Sequence, residues 1–435
     1  ITMGTPGTAG SAAGPLPVTH DDVRRAAVAI RGAIRSTPVL EAPEFPGLPA
    51  TGLYLKLENL QRTGAFKLRG ATNRIAQLSA EEAKRGVIAA SAGNHSQGVA
   101  WAARARGIPA TIVMARSASQ MKVRSTRALG AHVVLHGADF EEANEEALRR
   151  ASAEHLTYVA PFDDPAVIAG QGTVGLEILE AVPDVRRIIV GVGGGGLAAG
   201  IAVAACSIRP EIEIVCVQPQ GSDTLQASLA QGRVVVGGRP STFADGLATR
   251  HVGNLPLQLL LAYHAKAVVV DDRTIARASF LLLEQAKVLA EGAGATPLAA
   301  LLADPSLADG GPTVLVVSGG NLDPFLIDRV LFVGLTAEGR LLRLTASLPD
   351  APGRLAEFLK VAAETNANVR HIVHDRDSAS RGPRDVSVSV ELEVRDAEHG
   401  AEVVARFGEL GWSVHRADDG ETPVREPVNR HHGID

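Results

Sequence analysis

The chain has 435 residues, 46% of them hydrophobic and 21% charged, which is enough to bury a large core and to divide into two or three domains. A formal net charge of -5 offers no basic field to nucleic acid, and with 3% aromatic residues base-stacking platforms are few. No run of about 18 apolar residues occurs, which argues against a transmembrane helix and for a soluble globular chain.

In chain order, residues 1–19 are rich in Gly, Ala, Pro and Thr and read as a disordered leader. A helix is expected over 21–34 with Thr19 as its N-cap, then strands over 38–40 and 53–57 around a loop carrying Pro43, Pro46 and Pro49. The pattern continues as helix 66–78, strand 86–91, helix 96–106, strand 110–114, helix 119–129, strand 132–135, helix 140–155, strand 157–159, helix 171–179 and strand 188–192. Strands alternating with helices at this spacing predict an α/β fold with parallel sheets covered on both faces. Two sheets are expected, because the block 74–160 forms a small α/β unit of its own, and a cleft between them is the natural ligand site.

After Asn321 the texture changes. Strand 341–348, helix 355–366, strands 369–374 and 386–394, helix 397–410 and strand 412–416 give a ferredoxin-like βαββαβ order, long enough to fold by itself. The expected division is therefore a catalytic part over 20–330, a linker over 331–340, a second domain over 341–419 and a disordered tail over 420–435. Cys206 and Cys216 both sit in apolar runs as small core residues, which fits a reducing, cytoplasmic setting.

Four stretches carry chemistry. Gly193-Gly194-Gly195-Gly196-Leu197 follows a buried strand and opens a helix, so its backbone N–H groups can crowd around a phosphate. A dinucleotide loop is the competing reading, but the next strand ends in Gln218 where a ribose-binding acid belongs, and no Lys-Ser or Lys-Thr follows for a Walker A loop. Lys67 opens a helix, where the positive end of the dipole favours the neutral amine that Schiff-base chemistry needs. Ser91-Ala92-Gly93-Asn94-His95 is a strand-to-helix turn suited to a carboxylate or a ring hydroxyl, although Asn94 could equally cap its helix. Ser318-Gly319-Gly320-Asn321 ends another strand with a small hydroxyl, which taken alone reads as an ordinary turn.

Together, Gly64-Ala65-Phe66-Lys67-Leu68-Arg69-Gly70-Ala71, Ser91 to Ala100, Ile168-Ala169-Gly170-Gln171-Gly172-Thr173, the Gly193–Gly196 loop and Ser318 to Asn321 resemble the threonine ammonia-lyases of the fold type II pyridoxal phosphate enzymes, over about residues 20–330. The 341–419 unit resembles an ACT domain, with 348–355 as its ligand loop. The resemblance implies a two-domain fold type II catalytic part that converts L-threonine into 2-oxobutanoate and ammonia, with L-serine as a slower substrate. It implies that Lys67 carries pyridoxal 5'-phosphate and removes the α-proton, that Phe66 packs beside the ring and that Asn94 bonds the ring hydroxyl. By the same resemblance Gly193, Gly194, Gly195, Gly196 and Leu197 are expected to hold the phosphate, Ser318 to face the ring nitrogen, and Ser91, Asn94 and His95 to take the substrate carboxylate. The ACT resemblance further implies that Asp350 and Gly353 bind an amino-acid effector between paired ACT units of a homodimer or homotetramer.

Departures from the family pattern refine this. Serine racemases carry a second proton-transfer Ser where this chain has Ala92, so racemisation is disfavoured. Divalent-metal relatives carry Glu at Gln218 and Asp near Thr224, so no divalent metal is expected there. A related lyase acting on another β-hydroxy amino acid such as 3-hydroxyaspartate, a serine racemase, and a non-catalytic amino-acid sensor with a vestigial cofactor site are the alternatives.

Overall fold

The structure, a computed structural model, describes residues 16–376 and 384–416. The expected leader falls almost wholly outside these residues, and the expected tail entirely so. The chain divides into two compact units after Ile327.

In chain order the strands of the first unit are β1 Val39–Glu41, β2 Leu53–Leu57, β3 Val87–Ala90, β4 Ala110–Met114, β5 His132–Leu135, β6 Thr157–Tyr158, β7 Arg187–Gly191, β8 Glu213–Pro219, β9 Lys266–Val270 and β10 Thr313–Val317. One sheet runs β1-β2-β10-β7-β8-β9, parallel except for the antiparallel β1–β2 pair, and the other runs β5-β4-β3-β6, parallel throughout. Every residue of β10 is buried, as unbroken Val/Leu runs in a doubly covered parallel sheet require. The helix Gly196–Cys206 is apolar on all sides and buried at every position, so it lies inside the core rather than on it. It crosses the helix Pro165–Ala181 through glycines: a Cβ on Gly172 would lie 2.7 Å from the carbonyl oxygen of Gly200.

Thr19 caps the first helix, His20–Ala29, in a capping box: its side chain accepts from Asp22 N–H while its own N–H donates to Asp22 at 2.8 Å. That helix stops before the expected end at residue 34, and Gly32 beyond it adopts φ 82°. The helix expected over 171–179 begins earlier, at Pro165, because Asp164 accepts from Val167 N–H at 2.9 Å and proline occupies the first helical position. Residues 331–340, expected as a linker, are helical as far as Ala337, within Pro324–Ala337.

The second unit contains β11 Leu341–Pro349, the helix Arg354–Glu364, β12 Asn368–Asp375, β13 Asp385–Glu393, the helix Ala397–Glu409 and β14 Val414–Arg416. Its sheet order β12-β13-β11-β14 is antiparallel throughout, which is the ferredoxin-like arrangement. Along β13 every second residue, Val386 to Leu392, is buried against the helices, where Phe358 stacks on Phe407 at 4.6 Å and meets the edge of Trp412 at 5.6 Å.

Candidate active site

A cavity of about 510 Å³ opens between the two sheets of the first unit. Phe66, Lys67, Ser91, Asn94, His95, Gly193 to Leu197 and Ser318 all line it, although they come from four separate stretches of chain.

Lys67 is the first residue of the helix Lys67–Ala76, with Phe66 in the cap position. Its Nζ donates to the Pro161 carbonyl at 2.7 Å, and burial pushes its pKa down to about 8. The preceding loop is stitched to the end of β10: Phe66 N–H donates to Ser318 O at 3.0 Å, and Gly320 N–H to Gly64 O at 2.9 Å. Gly64, at φ 73°, lies where a Cβ would come within 2.4 Å of Asn321 Oδ1, so any other residue would be strained there and would press on the Asn321 side chain.

Beneath Lys67 the sequence hides an ionic network. Arg69, fully buried, bonds Glu58 Oε1 at 2.8 Å, Glu177 Oε1 at 2.7 Å and Thr173 Oγ1 at 3.0 Å; Lys56, also fully buried, reaches Glu177 and the Thr37 carbonyl. Two cations and two carboxylates thereby fix the Lys67 helix to β2 and to the helix Pro165–Ala181. Burial alone would raise the Glu58 pKa, but Arg69 and Lys56 hold it below the usual carboxylate range.

The glycine loop leaves β7 and starts the helix Gly196–Cys206 with Gly195 at φ 90° in the cap position and no side-chain cap, so the first N–H groups of that helix are free to bind an anion. Its glycines are dictated by space. A Cβ on Gly194 would lie 2.1 Å from the Phe162 ring, one on Gly195 2.9 Å from Pro256, and one on Gly193 3.1 Å from Leu247. Gln218 steadies the loop from behind: almost fully buried, it donates to Val192 O at 3.2 Å and accepts from Leu225 N–H at 2.7 Å. This cradle, with a partly deprotonated lysine in the same cavity, fits a phosphorylated aldehyde cofactor.

Asn94 starts the helix Asn94–Ala105, whose N-terminus also lacks a side-chain cap. Instead of capping, the Asn94 amide bridges two walls. Its Nδ2 donates to Glu291 Oε1 at 2.6 Å and its Oδ1 accepts from Asn321 Nδ2 at 2.8 Å. The His95 ring is committed elsewhere. Its Nε2 lies 2.9 Å from the Val159 carbonyl, which can only accept, so the proton is on Nε2 and Nδ1 is bare. Burial, aided by Lys67, lowers its pKa to about 3, and a bare Nδ1 cannot hold a carboxylate. What residue 95 offers an anion is its main-chain N–H in the first helical turn. Ser91 Oγ accepts from Gly93 N–H at 3.1 Å and so supports the same turn.

Asp350 and Gly353 belong to the second unit, in the turn between β11 and the helix Arg354–Glu364. Asp350 pairs with Arg376 at 3.1 Å, and Gly353 caps the helix at φ 86°.

Sequence reasoning missed several cavity residues. Glu291, buried, is pushed up to about 7 by burial and by Asp245, against Asn94 and Lys122. Lys122 and Asp245 form an ion pair on the cavity wall. Gln171 accepts from Gly70 N–H at 3.1 Å with its Nε2 unpaired, and Phe162 covers Gly194. Gln171 stood inside a quoted motif; the others come from stretches whose pattern is that of ordinary helix ends and loops.

Residues 30–319 match the model of the pyridoxal-phosphate dependent enzyme family. The chain is 45% identical over 398 residues to the L-threonine ammonia-lyase of Thermotoga maritima, an alignment covering 91% of this chain and 99% of that one. Among solved structures, maize serine racemase superposes with a TM-score of 0.69 at 35% identity, over 74% of this chain and 99% of that one. The processed form of threonine deaminase isoform 2 from Solanum lycopersicum does so with a TM-score of 0.67 at 35% identity, over 72% and 93%.

Proposed function

The chain belongs to the pyridoxal-phosphate dependent enzyme family, and from that premise we propose that it is an L-threonine ammonia-lyase, releasing 2-oxobutanoate and ammonia from L-threonine and pyruvate and ammonia from L-serine. The observation that carries the reading is the convergence of the Lys67 amine, the uncapped glycine-loop helix and the uncapped Asn94 helix on one cavity. Pyridoxal phosphate, when bound, supplies the electron sink that makes the α-proton of an amino acid removable.

The chain's own residues do the rest. The N–H groups of Gly193 to Leu197 would hold the phosphate, and Phe66 would pack beside the ring. The Asn94 amide would bond the ring hydroxyl. Ser318 would present a neutral hydroxyl to the ring nitrogen. The substrate carboxylate lies at the N-terminus of the Asn94 helix, held by Ser91 and by the main chain of Asn94 and His95. Lys67, poised near neutrality by burial, takes the α-proton. Ala92 offers no acid for returning a proton to the opposite face, so elimination is favoured over racemisation.

The second unit acts as an ACT-type regulatory domain, paired in a homodimer or homotetramer, with an amino acid bound near Asp350 and Gly353 and coupled to the first unit. Its ferredoxin-like order and the left-handed Gly353 turn support this. Among the described residues no helix is long and apolar enough to cross a membrane, and the buried, unpaired Cys206 and Cys216 support a reducing cytoplasm.

The test is turnover by purified protein supplied with pyridoxal phosphate, on L-threonine, L-serine and 3-hydroxyaspartate, with and without isoleucine or valine. Formation of 2-oxobutanoate that disappears in Lys67→Ala is expected. Its persistence in Lys67→Ala would refute the assignment, and fastest turnover of 3-hydroxyaspartate would reassign the substrate. Calorimetric titration showing no amino acid bound would reduce the second unit to an assembly module.

A further inference from the structure

We infer that Phe162 selects threonine over serine by packing its ring against the substrate's β-methyl group, an inference that rests on the ammonia-lyase reading above and deepens it. Besides nitrogen, the substrate α-carbon carries a hydrogen, a carboxylate and the side chain. The hydrogen faces Lys67, which removes it. The carboxylate goes to the N-terminus of the Asn94 helix, on the same side as the ring hydroxyl assigned to Asn94. In pyridoxal phosphate the hydroxyl and the phosphate arm flank the carbon to which the amino acid is joined. With the carboxylate on the hydroxyl side, the side chain is left on the side of the glycine loop.

Phe162 bridges those two landmarks. The carbonyl of the residue before it, Pro161, accepts from Lys67 Nζ at 2.7 Å. Its own ring lies over Gly194, and its main chain borders Gly196, where a Cβ would come within 3.1 Å of the Phe162 carbonyl oxygen. The ring lines the cavity and is only half-buried; the edge-on ring of His251 stands 6.5 Å from it. The segment that carries it is pinned. Asp163 accepts from the N–H groups of Asn254 at 3.1 Å and Leu255 at 2.9 Å, and Asp164 from Val167 N–H at 2.9 Å. A ring fixed in this way offers a preformed apolar surface.

Other apolar residues of the cavity are placed for different tasks. Ala90 and Ala92 belong to the end of β3 and the turn before the Asn94 helix, on the carboxylate side. Met121 and Phe140 are exposed to solvent, and Leu247 turns towards the end of β7, where a Cβ on Gly191 would lie 3.2 Å from it. Threonine carries a methyl group where serine carries a hydrogen. Against a phenyl ring the methyl gains burial, and the shared hydroxyl gains nothing. Seating the methyl also fixes rotation about the Cα–Cβ bond, which serine leaves free, so the preference falls on kcat/KM.

The test is a ratio. Both substrates meet the same loaded enzyme, so any change in cofactor binding or folding cancels from the quotient of their kcat/KM values. Phe162→Ala should lower the threonine-to-serine quotient by about 10-fold or more, and Phe162→Leu, which still covers Gly194, should lower it by less. Binding without turnover supplies a second reading. L-2-Aminobutyrate and L-alanine differ by the same methyl and have no β-leaving group; the preference for the former, from spectral titration of the loaded protein, should fall in parallel. A threonine-to-serine quotient unchanged in Phe162→Ala, or in Phe162→Leu where the alanine variant holds no cofactor, would overturn the assignment. So would a wild type that turns over serine at least as well as threonine. Wild-type protein that turns over neither would instead overturn the ammonia-lyase reading, and this inference with it.

Discussion

Asn94 and Glu291 meet at 2.6 Å across the cavity, joining the first turn of the Asn94 helix to the start of the helix Gly292–Ala303. The contact links the smaller sheet's wall to the larger sheet's wall, through a carboxyl whose charge is suppressed by burial. It gives Glu291 a signature in stability that does not depend on turnover.

The Glu291 pKa is raised from 4.5 in the unfolded chain to about 7 in the fold. The folded state then binds more protons than the unfolded state between those values. The stabilisation is complete below pH 4.5 and is lost as pH rises through 7, by roughly 3 kcal/mol at most. Glu291→Gln removes this titration. The difference in unfolding free energy between wild type and variant, from denaturant titrations of the cofactor-free proteins, should change across that window in favour of the variant. A difference independent of pH would mean that Glu291 titrates at its ordinary value.

Lys67 makes a second pH prediction. With its pKa brought down from 10.5 to about 8, the fraction of neutral amine rises as pH rises through 8. The rate at which cofactor-free protein captures pyridoxal phosphate, followed by the growth of its visible absorption, should climb with a midpoint near that value. A climb delayed to the range of an exposed lysine would show that the amine is not desolvated.

Arg69 is buried against Glu58 and Glu177, two residues along the helix from Lys67. Arg69→Met leaves two carboxylates facing the single cation of Lys56, a loss of roughly 3–5 kcal/mol. Because the network anchors the Lys67 helix, weaker cofactor binding should accompany the lower stability. Adding Glu58→Gln should recover part of the stability by removing the uncompensated charge. A double variant no more stable than Arg69→Met in denaturant titrations would rule out charge burial as the cause.

Much of this is legible in the sequence. The glycine loop, the Lys67 junction and the βαββαβ order are local patterns, and local patterns survive in sequence. The helix from Pro165 was partly missed because its apolar residues run all round, leaving only Asp164 and Pro165 to mark the start. Between 224 and 312 the helices Asp272–Glu284 and Gly292–Ala303 and strand β9 were not read at all, although β9 forms one edge of the larger sheet. Glu291 illustrates why site residues escape. In sequence it is an acid ahead of a small-residue helix, indistinguishable from an N-cap, and only the fold shows Asn94 opposite it. The His95 tautomer was likewise invisible, since it depends on Val159, which follows β6, arriving beside it.

Gln218 holds the glycine loop from behind, giving its amide hydrogen to Val192 O and accepting from Leu225 N–H. Gln218→Glu keeps the acceptor but sets a carboxylate oxygen against the Val192 carbonyl, a buried mismatch worth roughly 1–3 kcal/mol. A protonated carboxyl could donate again, so the deficit in melting temperature should be larger at pH 8 than at pH 5. A deficit equal at both would show that the contact with Val192 contributes nothing.

Gly194 tests the cradle directly. A Cβ there would lie 2.1 Å from the Phe162 ring, far inside contact distance, so Gly194→Ala must displace either the ring or the loop. The loop is also restrained where Gly253 N–H donates to Gly194 O at 3.0 Å. If the loop yields, its N–H groups no longer converge, and pyridoxal phosphate affinity should fall by about tenfold or more, the equivalent of roughly 1.4 kcal/mol. Removing the obstruction with Phe162→Ala in the same chain should restore part of the affinity, because Phe162 touches the loop through its ring. Fluorescence titration of the two variants decides the matter: unchanged affinity in Gly194→Ala would mean that Phe162 moves freely and that the glycine is not required by space.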